Sequence, residues 1–239
     1  MKTLFLKSTL KSFLLVIIVI MIIPATAYSQ VLLSQITSQG ELIGGPNAEG
    51  QIGDYLFRSD NIAIIVSDID HPWYYTNTGG NIVDADIADG SGDLLNCFFT
   101  YFDNTFPNQG NYTSAEIVND GSNGEPAILR VSGFYSENDQ VDVTTEYSFT
   151  ESDYFITIQT WLVNNSDLPI NDFGLGDAIQ WGDTYHFAPG YGFELWDIVT
   201  TTEWLAGSGD GVSYGCTPPS GTITGPNGGG WSDPVVANV

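Results

Sequence analysis

Between Val141 and Phe149 the chain alternates without a break. Val141, Val143, Thr145, Tyr147 and Phe149 fall on one side, and Asp142, Thr144, Glu146 and Ser148 on the other. Successive side chains of a strand point to opposite faces, so this period of two describes a strand with one dry and one wet face. Just upstream, Leu129, Val131 and Tyr135 alternate with Arg130 and Ser132, and the polar tip Ser136-Glu137-Asn138-Asp139 joins the two runs. Together they predict a hairpin. Keeping both apolar faces on one side sets its register: Tyr135 opposite Val141, and therefore Arg130 opposite Glu146. A cross-strand ion pair of that kind contributes about 0.2–1 kcal/mol.

Other segments obey the same grammar. A third strand is expected from Tyr154 to Val163, with Ile156, Ile158 and Leu162 on the core side. Phe155, Trp161 and Val163 make its other face partly apolar, which predicts that this face is covered. Tyr55–Phe57 and Ile62–Val66 bracket Arg58-Ser59-Asp60-Asn61 as a further hairpin, whose second run is apolar throughout, as in a strand buried on both faces. Helical periodicity is nearly absent, and neither an internal repeat nor a low-complexity linker is visible. The expected fold class is all-β: an antiparallel β-sandwich, supersandwich-like and incomplete at its C-terminus. It is expected to occupy residues 30–215, followed by a glycine- and proline-rich tail at 216–239 that reads as the start of a truncated continuation.

Residues 1–29 read as a secretory signal peptide. A basic start carries Lys2, Lys7 and Lys11, and Phe13 to Ile23 is an unbroken apolar run. Pro24 ends that run before Ala25-Thr26-Ala27. Cleavage after Ala27 or after Ser29 fits, and the apolar run is too short for a bilayer span. The expected location is the cell exterior: secreted, at the cell surface, or in a periplasm. Export permits a disulfide between Cys97, in the apolar stretch Leu94 to Phe102, and Cys216, in a Gly/Pro-rich loop. The alternative is one buried and one loop thiol.

Beyond the leader there is no lysine. Twenty-nine Asp and Glu face only Arg58 and Arg130, a net charge of −27. Such a surface repels nucleic acid and anionic lipid and attracts cations, so neither a nucleic-acid partner nor a membrane partner beyond the signal peptide is expected.

Two regions concentrate polar chemistry. Asp84, Asp86, Asp89 and Asp93 fall among Gly90, Ser91 and Gly92, and a turning acidic loop can offer calcium several oxygens. The spacing is not that of an EF-hand. A solvated loop with aspartates capping its own turns is the competing reading. Asp177 to Asp183 followed by His186 is the second region, where Asp177, Asp183 and His186 are candidates for acid–base work. Aromatic residues in expected loops, above all Trp73, Tyr75, Trp181 and Tyr185, offer either a platform for sugar rings or plugs for the ends of a sandwich. No Gly-x-Ser-x-Gly lies between a strand and a helix, and no βαβ unit supports dinucleotide binding.

The run Val143–Asn165 (VTTEYSFTESDYFITIQTWLVNN), followed by Gly176-Asp177-Ala178-Ile179-Gln180-Trp181-Gly182, resembles the β-rich N-terminal region of large secreted bacterial proteins. In these proteins related domains precede carboxypeptidase-regulatory-like repeats or PHP-type metallohydrolase domains. Gly53–Asp60, Gly80–Asp86 and Gly211–Gly215 fit the same resemblance, which spans residues 53–215. The strand grammar also resembles galactose-mutarotase-like supersandwich domains, a likeness of fold that does not transfer activity.

The resemblance implies a non-catalytic module, or a fragment that stops before the next domain. With the aromatic and acidic residues above, the expected function is a secreted β-sandwich module that binds carbohydrate or calcium or spaces neighbouring domains. Its partners would be glycans or adjoining domains; no cofactor is required, and calcium at the Asp84–Asp93 region is the candidate. The alternative is a carbohydrate-active enzyme, of epimerase, lyase or hydrolase type, using Asp/His acid–base chemistry.

Overall fold

The computed structural model describes residues 31–224 apart from 104, 106, 151, 152, 172, 183, 194–200 and 210. The expected signal peptide, Asp183 and most of the expected tail therefore lie outside the described residues. The described chain is nearly all β, with antiparallel sheets.

Strands β1 (Leu32–Gln35), β2 (Tyr55–Arg58), β3 (Ile62–Val66), β4 (Ile82–Ile87) and β5 (Cys97–Phe102) are laid down side by side. The chain then leaves to build a second sheet from β6 (Gly110–Asn119), β7 (Ala127–Tyr135), β8 (Asn138–Phe149) and β9 (Thr157–Asn164). It returns as β10 (Leu175–Gln180), which pairs with β5 and completes a six-stranded first sheet. Three short strands follow as a small sheet: β11 (Tyr185–Phe187), β13 (Leu205–Ser208) and β14 (Ser213–Cys216). Between them and after them, β12 (Thr201–Thr202) pairs with β15 (Ile223–Thr224).

The β7–β8 hairpin has the predicted ladder, with Arg130 opposite Glu146 and Nη2 2.6 Å from Oε1. At the tip the register slips after Phe134, so Tyr135 meets Asn138 instead of Val141. The alternation of β8 holds from end to end. Val141, Val143, Thr145, Tyr147 and Phe149 are all buried against the first sheet.

The core between the sheets joins Phe57, Ile64, Val66 and Ile82 to Leu129, Val131, Val143, Tyr147 and Phe149. A side chain of this size, fully buried, contributes about 1.5–3 kcal/mol. A polar seam crosses this core. Tyr112 Oη lies 2.9 Å from Thr100 Oγ1 on the first sheet and 2.7 Å from Thr145 Oγ1 on the second. Thr145 Oγ1 in turn meets Thr160 Oγ1 at 2.9 Å. Burial pushes the Tyr112 hydroxyl up to about 12, so it stays protonated and available to donate.

The first sheet is dry on its outer face too. Ile36, Ile43, Leu56, Ile65, Val83, Cys97, Phe99 and Ala178 form a second cluster there, roofed by the long connections that precede β2 and follow β3 and β4. This explains the continuous apolar run of β3. The second sheet differs: Trp161 and Val163 on the outer face of β9 stay 40% and 54% exposed, so the cover expected over them is not provided by the described residues.

Two further expectations are corrected. Cys97 and Cys216 are both free thiols: Cys97 packs in the outer cluster, whereas Cys216 packs against the core between the sheets. Burial pushes the Cys216 thiol up to about 12, helped by the nearby Asp177 carboxyl. The fold also does not stop at residue 215, because Ile223 is fully buried in the main core through the pairing of β15 with β12.

Candidate functional site

The sandwich brings one polar group and one aromatic group together at the outer face of the first sheet. The β2–β3 register, with Tyr55 opposite Val66, places Asp54 and Ser67 at the same end of that hairpin. The chain then turns at Asp68–His71, where the His71 N–H donates to the Asp68 carbonyl at 2.9 Å. That turn swings the imidazole back over Asp54. Asp54 is only 1% exposed, and its carboxylate accepts three hydrogen bonds. Oδ2 takes the Gln51 N–H at 2.7 Å; Oδ1 takes the Asp68 N–H at 2.8 Å and His71 Nδ1 at 2.7 Å. A carboxylate in this role accepts, so Nδ1 carries the hydrogen and the tautomer and ring orientation of His71 are fixed. Gly53 closes the arrangement from below. Its φ of +106° suits glycine, and a Cβ there would lie 3.3 Å from His71 Cε1.

Immediately after His71 come Pro72 and the three aromatics. Trp73 and Tyr75 have ring centroids 5.3 Å apart, and Tyr74 meets Tyr75 edge-on at 4.8 Å. The loop is pinned rather than loose. Thr76 Oγ1 accepts the Trp73 N–H at 2.8 Å, and the buried Gln109 donates from Nε2 to the Tyr75 carbonyl at 2.6 Å. Trp73 leans partly on the outer cluster, while Tyr74 is 84% exposed. Glu49, Gln51, Asp54, His71, Trp73 and Tyr74 line a cavity of about 110 Å³, together with Ser67, Pro72 and Val83. A pocket of this kind, with aromatic walls and a few convergent polar groups, suits a small polar ligand.

The acidic region lies on the same face but is put to a different use. Asp84 and Asp86 belong to β4, not to a loop. Asp84 is fully buried opposite Ile65 and accepts the N–H groups of Glu49 (2.7 Å) and Gly50 (3.0 Å). Desolvation, reinforced by Asp93 and Asp54, outweighs those two donors and raises its pKa to about 7. Asp86 accepts from Ile87 and from Gly92. Asp93, also fully buried, accepts from Ala85, Leu95 and the Tyr214 hydroxyl; burial raises it to about 6. Its other oxygen, Oδ2, is buried without a hydrogen-bond partner. Asp89 is exposed. Each of the three buried acids therefore ties down a different stretch of backbone. Among the described residues no three His, Cys, Asp or Glu side chains converge as a metal site would require.

The second polar region is also dispersed. Asp177 sits within β10 opposite Thr100, facing the core between the sheets beside the Tyr112 and Tyr147 hydroxyls. Desolvation alone raises its carboxyl to about 7. His186 lies on β11 opposite Gly207, with its ring 6.2 Å from that of Trp181. Trp181 is 2% exposed, which fits the plug reading of the loop aromatics and not the platform one. Tyr185 is 76% exposed but lies on β11, apart from the Trp73 loop. Of the expected sugar contacts, only Trp73 and Tyr75 come together. Asp54, Glu49 and Gln51 were not anticipated as site residues.

Among the described residues no helix is long and apolar enough to cross a membrane. Comparison with protein-family models, with curated proteins and with solved structures finds no match to this chain.

Proposed function

We propose that this protein is a secreted, non-catalytic β-sandwich module that binds carbohydrate in the pocket between Glu49, His71 and the Trp73–Tyr75 loop. The reading rests on one observation: an exposed Tyr74 ring and a half-buried Trp73 ring share a pocket with a carboxylate, an amide and an oriented imidazole. A pyranose offers C–H groups on its face and hydroxyls at its edge. Ring faces meet the first, and Glu49, Gln51 and His71 the second. The resemblance to N-terminal regions of large secreted bacterial proteins supports a role in presenting neighbouring domains to such a ligand. A glycan array probed with the wild type and with Tyr74→Ala tests this. Signals that fall at least about tenfold in the variant support it, and a blank or unchanged array refutes it.

A second reading has its own support. The Asp54–His71 pair has the arrangement of a general base held by a carboxylate. An acid–base enzyme would convert a retained glycan in a time course, and His71→Ala would abolish that conversion while Tyr74→Ala weakened binding. A glycan recovered unchanged after prolonged incubation leaves the binding module.

A further inference from the structure

Accepting the pocket as a carbohydrate site, we infer that its ligand is cationic: an amino sugar bearing a free ammonium group. The argument starts with what the chain lacks. Beyond residue 30 its fixed positive charges are Arg58 and Arg130, and both are engaged elsewhere. Arg58 Nη1 donates to the Ala88 carbonyl at 2.7 Å, and Arg130 serves Glu146 on the second sheet. Neither lines the pocket. A uronate or sulfated sugar would find no fixed counter-charge there and would face the field of a net −27 surface.

An ammonium group meets the opposite situation. Glu49 is exposed at the pocket; its backbone N–H is held by Asp84, but its carboxylate makes no hydrogen bond or ion pair among the described residues. Asp54 lines the same pocket, its carboxyl already bonded to Gln51, Asp68 and His71. Trp73 and Tyr74 line the same pocket, and the quadrupole of an aromatic ring attracts a cation held within about 6 Å of its face. His71 contributes a hydrogen-bonding edge, with Nδ1 bound to Asp54. Carboxylate, ring faces and long-range field all favour the same charge. A neutral sugar would use only the rings and the polar edges.

The test is calorimetric titration of the purified protein with three oligosaccharides of equal length, at a pH where amines are protonated. These are a glucosamine oligomer, its fully N-acetylated counterpart and a uronic acid oligomer, with spermine as a non-sugar polycation. The glucosamine oligomer is expected to bind at least about tenfold more tightly than the acetylated one, and the uronic acid oligomer not at all. Glu49→Gln should erase most of that ratio, weakening the glucosamine oligomer far more than the acetylated one. Added salt should weaken the amine ligand selectively. Equal or tighter binding of the acetylated oligomer overturns the inference while leaving a carbohydrate site. Spermine binding that matches glucosamine and ignores both Tyr74→Ala and Glu49→Gln overturns it as mere surface charge. If no oligomer binds, the carbohydrate reading falls with it.

Discussion

Lowering the pH from neutrality should make this protein more stable before strong acid unfolds it, and Asp84 is the clearest reason. Its carboxyl is fully buried in the outer cluster and is raised to about 7, against an ordinary value of 3.8. Between those two values the folded state binds a proton that the unfolded state does not, so stability falls as pH rises through that window and recovers as pH is lowered. Going from about pH 7 to about pH 5, this one group should add about 2 kcal/mol to the unfolding free energy. Asp93 and Asp177 are raised for the same reason and act in the same direction. The assay is urea unfolding at a series of pH values, for the wild type and for Asp84→Asn. Asparagine keeps the shape but presents an NH2 group to one of the Glu49 and Gly50 N–H donors, so the variant should be weaker near pH 5 by about 1–3 kcal/mol. Its pH slope should be shallower by nearly one proton. Identical slopes in the two proteins, or a wild type that weakens from pH 7 to 5, would refute this reasoning.

Other consequences follow from the packing. Tyr112→Phe removes the hydroxyl that links Thr100 to Thr145 across the core, and should cost about 1–2 kcal/mol in denaturant unfolding. At Gly133, where β6 bulges, an added Cβ would fall on the Asn111 carbonyl, so Gly133→Ala should cost about 1–3 kcal/mol and lower the melting temperature. Because the net charge beyond residue 30 is −27, salt should screen self-repulsion and raise the melting temperature between low and molar NaCl. A flat response would assign the acidity no destabilising role.

The strands were legible where their pattern was self-contained. β7 and β8 carry an apolar face, a polar tip and a complementary charge pair within one stretch of chain, so hairpin and register both follow from residues 129–149. β10 was harder to see. Asp177 and Gln180 sit inside it and give it the look of a polar loop, while its partner β5 lies on the far side of the whole second sheet in sequence. Trp181 stayed open between plug and platform for the same reason: once β10 is a strand, the residue that ends it enters the core. The pocket was half visible. Trp73 and Tyr75 were legible as aromatics in a loop, but Asp54 looks like an ordinary turn acid until the β2–β3 register is extended by one residue. That extension sets Asp54 beside Ser67 and brings His71, one turn later, over its carboxyl. The acids of residues 84–93 left two readings open because local spacing does not reveal whether a carboxylate faces solvent, a cation or the amides of a distant segment; here Asp84 serves Glu49 and Gly50.

The central claim is a location, and amide chemical-shift mapping of the purified protein during titration with an array-positive oligosaccharide tests it most directly. Shifts concentrated at Glu49, Gln51, His71, Trp73 and Tyr74, and lost in Tyr74→Ala, are the predicted result. Shifts concentrated instead on the exposed face of β9, around Trp161 and Val163, or at Tyr185, would contradict the account.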